Sequence, residues 1–348
     1  YGARRFGVRA GMPIAQAARL CPEATFFQGS FAHYREASQG VRAVLLGHSP
    51  VVVMASLDEG YLDFTGTERL FPVSLLPVAE RLRDDVKRET GLDCTIGIGP
   101  NRMVAKLASD SAKPRGLMEV RAGWEEGFLA GLSLRALPGV GPQTAARWSA
   151  LGLTEVAQVQ GMKEDELRRL VGDRASELKL RAHGHAGTRL SPDRAPKSIS
   201  RETTLARDLS DEARLEALLV LFSARVAAQL RAEGLSARTV TLKLRHGDFH
   251  TVTRRRTLDR PTDLDSELSE AARELFRAAF EHVRRRGKGV RLIGVAATGL
   301  TPATSSDLFE SGQRTRLREL TAAVDKVRDK YGFDALTPAM VMNARRPQ

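Results

Sequence analysis

The pattern of hydrophobic and polar residues in the first third of the chain alternates between helical stripes and short strand-like runs. Apolar residues recur at helical spacing over residues 31–47 and 75–90, which predicts two amphipathic helices. Between them, the apolar runs 51–57 and 61–64 flank Asp58-Glu59-Gly60, and this order predicts a β-hairpin with an acidic turn. A further strand and helix follow, and the mixed order indicates an α+β domain.

The pattern changes twice after this domain. Strand-like runs are absent between Trp124 and about Gly187, which predicts a helical segment. Residues 188–198 have the Pro, Ser and charged composition of a linker. Strand patterns then return, and residues 239–245 alternate strictly, so that Lys243 and Arg245 are expected to face away from a core. Two long helices accompany these strands, which predicts a second α+β domain.

The composition indicates what such a protein binds. The 348 residues include 54 Lys and Arg against 42 Asp and Glu, a formal net charge of +12. This excess favours a polyanionic partner, nucleic acid before an anionic membrane. No apolar run reaches about 18 residues, so no membrane-spanning helix is predicted. The two cysteines, Cys21 and Cys94, cannot build a disulfide framework. We therefore expect a cytoplasmic protein that does not act on membranes.

Asp58 and Glu59, at the tip of the predicted hairpin, are the first candidates for chemistry. Adjacent carboxylates repel each other unless cations neutralise them, and a solvent-facing turn admits hydrated Mg²⁺. Two such ions about 4 Å apart can activate an attacking oxygen and stabilise a leaving phosphate. By itself, the dipeptide is more simply interpreted as a polar turn, so the surrounding motifs have to decide.

Two further features predict contacts with a nucleic-acid backbone. The segment 137–146 has the helix-hairpin-helix pattern, in which the Gly139-x-Gly141 turn and the following helix N-terminus can hold a phosphate. The second α+β domain concentrates cations on its strands. The candidate DNA-binding residues there are Lys243, Arg245, Arg254 and Arg256. Binding through such residues falls steeply with salt, and no pattern for reading bases is visible.

Several motifs, taken in order, resemble those of the Y-family translesion DNA polymerases, and the bacterial DNA polymerase IV branch most closely. The resemblance runs from residue 1 to about residue 300, and the helix-hairpin-helix follows in the expected place. The segments that carry it are Tyr1-Gly2-Ala3-Arg4-Arg5-Phe6-Gly7-Val8, Gly11-Met12-Pro13, Ser56-Leu57-Asp58-Glu59-Gly60-Tyr61-Leu62-Asp63, Gly97-Ile98-Gly99-Pro100-Asn101, Ala105-Lys106-Leu107-Ala108-Ser109-Asp110 and Ala112-Lys113-Pro114-Arg115-Gly116.

The resemblance implies an α+β multidomain fold of the right-hand polymerase type. Its thumb would be helical and carry the helix-hairpin-helix, and its little finger would be an α/β domain. The implied boundaries are partial fingers at 1–29, palm at 30–119, thumb at 120–187, linker at 188–198, little finger at 199–300, and a C-terminal tail with a helix at 301–348.

The resemblance also implies roles for individual residues. Asp58 and Glu59 would hold two Mg²⁺ ions in the palm, while Tyr1, Arg4 and Lys113 would bind the triphosphate of an incoming dNTP. The reaction would be nucleotidyl transfer onto a primer 3′-hydroxyl, with primer-template DNA as the second substrate. Lys106 is expected to be structural or to face the DNA.

One family motif has no counterpart among these residues. It is an aspartate followed by paired aromatic residues, and it would supply a third metal ligand, the steric gate against ribonucleotides and the first palm strand. We therefore expect either that the natural protein is longer or that this chain is catalytically impaired. A non-catalytic accessory protein that binds DNA and the sliding clamp is the alternative; a nucleotidyl cyclase on a related palm is a weaker one.

A last expectation concerns a partner protein. Ser305-Ser306-Asp307-Leu308-Phe309 stands where relatives often carry a Gln-x-x-Leu-Phe peptide that docks on the sliding clamp. Ser305 replaces the Gln, but Leu308 and Phe309 could still fill an apolar pocket. A plain loop before the predicted C-terminal helix is the equally simple alternative.

Overall fold

The computed structural model of the chain describes residues 1–67, 69–71, 73–187, 190, 195–285, 287, 289–303 and 312–345. It divides into two compact units, Tyr1–Arg194 and Ala195–Gln348. The division falls inside the segment predicted as a linker, although the domain boundaries implied by the resemblance remain predictions. In the described part of the chain, no helix has the length and apolar character that a membrane crossing requires.

The first half of unit 1 mixes helices with very short strands. Ser30 begins the second helix by accepting a hydrogen bond from the His33 N–H, and Gly91 ends the third helix in the left-handed region at φ 72°. The helices are α1 (Ile14–Leu20), α2 (Phe31–His48), α3 (Leu76–Thr90) and α4 (Arg102–Ser111), and a 3-10 helix covers Ala3–Phe6. The strands are β1 (Val52–Met54), β2 (Gly60–Leu62), β3 (Ile96–Ile98) and β4 (Leu117–Glu119).

These strands form two separate two-stranded sheets. Strands β1 and β2 pair antiparallel with Val53 opposite Tyr61, as the predicted hairpin requires. Strands β3 and β4 pair parallel, and β4 was not predicted from the sequence because three residues carry too little pattern. The core between β1, α2 and α3 is small, with four buried side chains: Leu45, Val52, Leu82 and Val86.

The second half of unit 1 is helical, as predicted. Its helices are α5 (Glu125–Ala130), α6 (Pro142–Ser149), α7 (Val156–Gly161), α8 (Glu164–Val171) and α9 (Ala175–Ala182), with 3-10 helices at Leu134–Ala136 and Gly172–Arg174. Their core includes Leu129, Val156 and Leu167, which are fully buried, and it is continuous with α4 through Val104.

Unit 2 is a four-stranded antiparallel sheet, in the order β5-β8-β6-β7, with long helices packed on one face. The strands are β5 (Ser198–Leu209), β6 (Leu235–His246), β7 (Thr251–Thr262) and β8 (Val290–Pro302). The helices are α10 (Glu212–Ala232), α11 (Asp265–Arg285) and α12 (Gly312–Tyr331), followed by 3-10 helices at Phe333–Ala335 and Ala339–Arg345. The last residue of the predicted linker, Ser198, pairs with Thr298 in the sheet, and the linker boundaries stay a prediction.

The C-terminal segment is part of unit 2 and does not form a separate tail. Arg328 of α12 is buried. Its guanidinium lies 3.1 Å from the Asp265 carboxylate and 4.3 Å from the centroid of the Phe333 ring. Arg231 of α10 bonds Asp325 of α12. Val341, in the last 3-10 helix, is fully buried.

Candidate active site and nucleic-acid interface

Asp58 lies at the tip of the β1–β2 hairpin and faces solvent. The Ser56 hydroxyl donates a hydrogen bond to Asp58 Oδ1 at 2.6 Å, and the backbone closes the turn with Ala55 N–H to Glu59 O at 2.8 Å. The hydrogen bond from Ser56 is the main reason that the pKa of Asp58 lies below its ordinary value. Asp58 is therefore a preorganised, ionised carboxylate at neutral pH.

Glu59 is the more enclosed of the two carboxylates, and both of its oxygens are engaged. The Tyr61 hydroxyl donates to Oε1 at 2.5 Å, and Lys106 Nζ lies 2.9 Å from Oε2. Partial burial raises the pKa of Glu59, but the hydrogen bonds from Tyr61 and Lys106 outweigh that effect and the pKa lies below its ordinary value. The Arg102 guanidinium stacks 4.4 Å from the Tyr61 ring centroid.

Asp110 joins the two lysines of this region. Its Oδ1 lies 2.6 Å from Lys113 Nζ and 3.5 Å from Lys106 Nζ. Lys106 and Asp110 are one helical turn apart on α4, and Lys113 follows just beyond its end, so the three charges share one side of the helix. The i, i+4, i+7 spacing of Lys106, Asp110 and Lys113 is the sequence signal that could have placed these three charges together, whereas the contact between Lys106 and Glu59 has no such local signal.

Two glycines fix the distance between α4 and β3. A Cβ added at Gly97 would lie 2.1 Å from the carbonyl oxygen of Ala105 and 2.2 Å from the backbone nitrogen of Ser109. At Gly99, an added Cβ would lie 2.7 Å from the backbone nitrogen of Ala105. The helix that carries Lys106 therefore lies directly on the strand, with no side chain between them.

Tyr1 and Arg4 lie at the entrance of the same region. Arg4 Cζ lies 4.7 Å from the centroid of the Tyr1 ring, and the 3-10 helix Ala3–Phe6 places both beside the cleft. This cleft has a volume of about 1230 Å³, and its lining includes Tyr1, Arg4, Asp58, Glu59 and Lys113. The structure thus brings all five predicted palm and fingers residues to one cavity.

The deep part of this cleft is apolar. It lies between β2 of one small sheet and β3 of the other, and residues of both strands line it. Its other walls come from α2 and α3, through side chains that also belong to the small core or pack against it: Val41, Leu45, Leu82 and Val86. The two half-sheets therefore face a common apolar space.

The glycine turn of the helical half has the geometry that its motif requires. Gly139 adopts φ 86°, which favours glycine, and Gly141 is the N-cap of α6. Arg181 bonds the Pro138 carbonyl at 2.6 Å and so lies against the turn. The first N–H groups of α6 have no partner within the helix, as at any helix start, and with the nearby guanidinium they suit a phosphate oxygen.

The register of unit 2 separates the predicted DNA-binding residues onto two faces of the sheet. Lys243 and Arg245 lie on the face without helices, where Arg245 Nε donates to the Thr251 hydroxyl at 2.9 Å. Arg254 pairs with the buried Leu242, so it points to the helix side. Arg256 does the same and forms an ion pair with Glu274 of α11. Arg255, which the sequence analysis did not choose, lies on the open face opposite Thr241.

Clusters of three or more metal-ligating side chains are absent from the part of the chain that the structure describes: no such group of His, Cys, Asp and Glu side chains there is arranged to hold a metal ion. His183 lies 3.1 Å from Glu126. Leu308 and Phe309 lie outside the described residues.

The comparisons with known proteins agree with this geometry. The model of the impB/mucB/samB family matches residues 1–110, and that of the impB/mucB/samB family C-terminal domain matches residues 196–308. The chain belongs to this family. It is 37% identical to the DNA polymerase IV of Caulobacter vibrioides, over 99% of this chain and 85% of that protein. It is 36% identical to the DNA polymerase IV of Dehalococcoides mccartyi, over 97% and 85%.

Solved structures show the same fold. A Y-family DNA polymerase chimera of Dbh and Dpo4 aligns with a TM-score of 0.74 at 24% identity, over 86% of this chain and 85% of that one. DinB from Sulfolobus solfataricus aligns with a TM-score of 0.55 at 23% identity, over 87% of each chain. These structures confirm the prediction of an α+β polymerase fold. The family models and the relatives confirm the resemblance to the DNA polymerase IV branch, while the lack of a first catalytic motif stays a prediction.

Proposed function

We propose that the chain is a DNA-directed DNA polymerase of the translesion, low-fidelity type, which transfers nucleotides onto a primer 3′-hydroxyl. This proposal rests on one observation: the two ionised carboxylates at the hairpin tip lie in the same cleft as three cations. The cations are Arg4, Lys106 and Lys113. A carboxylate pair next to a cationic rim suits a metal-bound triphosphate. Family membership supports the same reaction, because the relatives named above are DNA polymerases.

Asp58 and Glu59 fit a divalent cation. Both are hard oxygen donors held in the ionised form, and the ammonium of Lys106 already neutralises one Glu59 oxygen at 2.9 Å. We propose two Mg²⁺ ions as the cofactor, which when bound would neutralise the triphosphate and activate the attacking hydroxyl. The protein's own part is to hold Asp58 with Ser56 and Glu59 with Tyr61, so that both carboxylates are in place before the nucleotide arrives.

The cations of the cleft are assigned to the triphosphate. Asp110 holds Lys113 at 2.6 Å, which restricts a long side chain to the side of α4 that faces the cleft. Arg4, stacked on Tyr1, would approach from the opposite rim, where its planar guanidinium can bind two phosphate oxygens. Tyr1 would then support Arg4 and contact the nucleotide with its exposed ring.

Two surfaces are assigned to the DNA backbone. The Gly139–Gly141 turn before α6 would hold a phosphate, and Lys243 and Arg245 of unit 2 would contact others from the open face of the sheet. Arg254 and Arg256 are weaker candidates, because the register turns them toward the helix side. All of these contacts are independent of base sequence, as copying of any template requires.

Primer extension by the natural protein tests the assignment of the carboxylates. Asp58→Asn keeps the size of the side chain but removes its charge, and we expect extension to fall on the order of 10³-fold. Affinity for primed DNA in a gel shift should be unchanged. Glu80→Gln, an exposed carboxylate of α3, is the matched control and should extend normally. Normal extension by Asp58→Asn would refute the metal assignment.

We further propose that a third carboxylate of the metal site is carried by a strand that fills the cleft between β2 and β3. The apolar walls and the two half-sheets on either side suit a strand with one buried face, which would join them into one sheet. The 348-residue chain alone would then bind primed DNA but extend it only when such a strand is supplied, in the natural protein or as a separate peptide. Extension by the chain alone would contradict this proposal.

Two partner and location predictions remain proposals. Docking of Leu308 and Phe309 on a sliding clamp rests on their sequence context, and a cytoplasmic location rests on the kinship with DNA-acting enzymes. A pull-down with the clamp, comparing the natural protein with a Leu308→Ala/Phe309→Ala variant, tests the first. Equal capture of both proteins would refute it.

A further inference from the structure

The open face of the unit 2 sheet carries an ion pair that bridges an intervening strand. Lys243 Nζ on β6 lies 2.9 Å and 3.1 Å from the two carboxylate oxygens of Glu202 on β5. Strand β8 runs between β5 and β6, so the two side chains meet above it. The side chains are about half exposed, Lys243 at 35% and Glu202 at 45%, so the pair is in reach of a ligand.

The strand register and one glycine make this bridge possible. Glu202 pairs with Gly294 of β8, and Gly294 pairs with Lys243 on its other side, so the three residues form one row across the sheet. A Cβ added at Gly294 would lie 2.5 Å from Cβ of Glu202. Any larger residue at position 294 would therefore push the two charged side chains apart.

Two further cations of this face, Arg245 and Arg255, have uncharged neighbours. Arg245 bonds only a hydroxyl, that of Thr251, and Arg255 lies opposite Thr241. In the described part of the chain, neither of them forms an ion pair with a carboxylate. Of Lys243, Arg245 and Arg255, Lys243 is thus the one whose charge a carboxylate of the described chain already neutralises.

We propose that Glu202 is a built-in counterion of Lys243 that weakens the grip of unit 2 on the DNA backbone. The inference rests on the proposed function, because it takes a DNA phosphate as the ligand of the open face. A phosphate can engage Lys243 only after Glu202 releases it, and the freed carboxylate then lies beside the DNA. The exchange replaces one ion pair by another, so Lys243 contributes little net affinity.

The same exchange has a consequence for salt dependence. Each phosphate that a protein cation neutralises releases counterions from duplex DNA and steepens the slope of log K against log salt by about 0.9. When Glu202 gives up Lys243, its carboxylate stays beside the DNA and adds one negative charge there, so the exchange brings no net neutralisation of the DNA and little counterion release. In the wild-type protein, Lys243 therefore contributes little to the slope of log K against log salt. Without the Glu202 charge, it would contribute about 0.9.

The test is DNA affinity of the natural protein and its Glu202→Gln variant over a range of salt concentrations. An exposed ion pair is worth up to about 1 kcal/mol, so we expect about two- to fivefold tighter binding at low salt. The slope should become steeper by about 0.9. Glu270→Gln, an exposed carboxylate on α11 with the same change in charge, is the control and should change neither quantity. Circular dichroism confirms that the variants fold.

A double variant shows whether Glu202 acts through Lys243. In a Lys243→Gln background, Glu202→Gln should have no further effect on affinity or slope. An unchanged affinity in the single variant, or the same gain with and without Lys243, would overturn the inference. If the wild-type protein neither binds nor extends primed DNA, the proposed function itself fails, and that result is distinct from a wild-type enzyme that is insensitive to Glu202.

Discussion

The two sheets of unit 1 have two short strands each and a small core, whereas the single sheet of unit 2 has four long strands and a large core. In unit 2, the central strands β6 and β8 bury one face against α10 and α11, in a core that also includes Ile199 of β5 and Phe276 of α11. In the first half of unit 1, two pairs of three-residue strands lie beside a small core of four buried side chains and border an apolar cleft.

The difference follows the division of chemistry between the two regions. The carboxylates and cations assigned to nucleotide transfer converge on the cleft of unit 1. Most of the charges assigned to DNA binding lie along strands of unit 2, on a sheet with a large core. A rigid sheet can hold cations over several phosphates at once, whereas the groups of an active site must converge on one substrate.

We expect the largest effect from the ion pairs that hold the C-terminal helix α12 on unit 2. Arg328→Met keeps most of the side-chain volume but removes the cation beside Asp265 and Asp325. Loss of one partner from a buried ion pair costs about 3 kcal/mol. The free energy that opening of α12 requires should therefore fall by about that amount. Hydrogen exchange of the α12 amides measures it. Lys326→Met, on the exposed side of the same helix, should leave protection unchanged; equal protection in Arg328→Met would show that the network does not hold α12.

Matched leucine truncations in the two regions should differ in cost. Leu244 is fully buried in unit 2, and Leu244→Ala should lower the free energy of unfolding of that unit by about 3 kcal/mol, since it leaves an enclosed cavity. Leu62 borders the cleft, so Leu62→Ala only widens an existing space and should cost about 1 kcal/mol. Hydrogen exchange within each unit provides the values. A larger loss for Leu62 would mean that the cleft is better packed than its walls indicate.

The smallest expected effect concerns the open face. Arg255→Gln should reduce the salt slope of DNA binding by about 1 and weaken affinity a few-fold, roughly uniformly across sequences. Arg256→Gln is the matched variant on the helix side, where Glu274 already engages the guanidinium, and it should change the slope little. The opposite ranking would place the DNA on the other side of β7.

The sequence predicted most of what depends on local pattern. The acidic hairpin, the long helices and the alternation of β6 all follow from periodicity. The ordered motifs named Asp58, Glu59, Tyr1, Arg4 and Lys113, which line one cleft, although their roles stay predictions. Arg255 could not be separated from Arg254 and Arg256, because a run of three arginines hides the alternation that tells one face of a strand from the other. The contact between Lys106 and Glu59 depends on how α4 packs on β3, which no local pattern contains.

Gly97 shows how a residue with no side chain can limit what the enzyme tolerates. Because the backbone of α4 occupies the space where a Cβ would lie, even alanine at this position must push the helix outward. Lys106 and Asp110 would move with it, and Lys113 would lose its anchor. We therefore expect a scan of all substitutions to find Gly97 as intolerant as Asp58, although it has no side chain with which to bind a nucleotide or a metal. A residue without a side chain would then be among the positions of the site that tolerate substitution least.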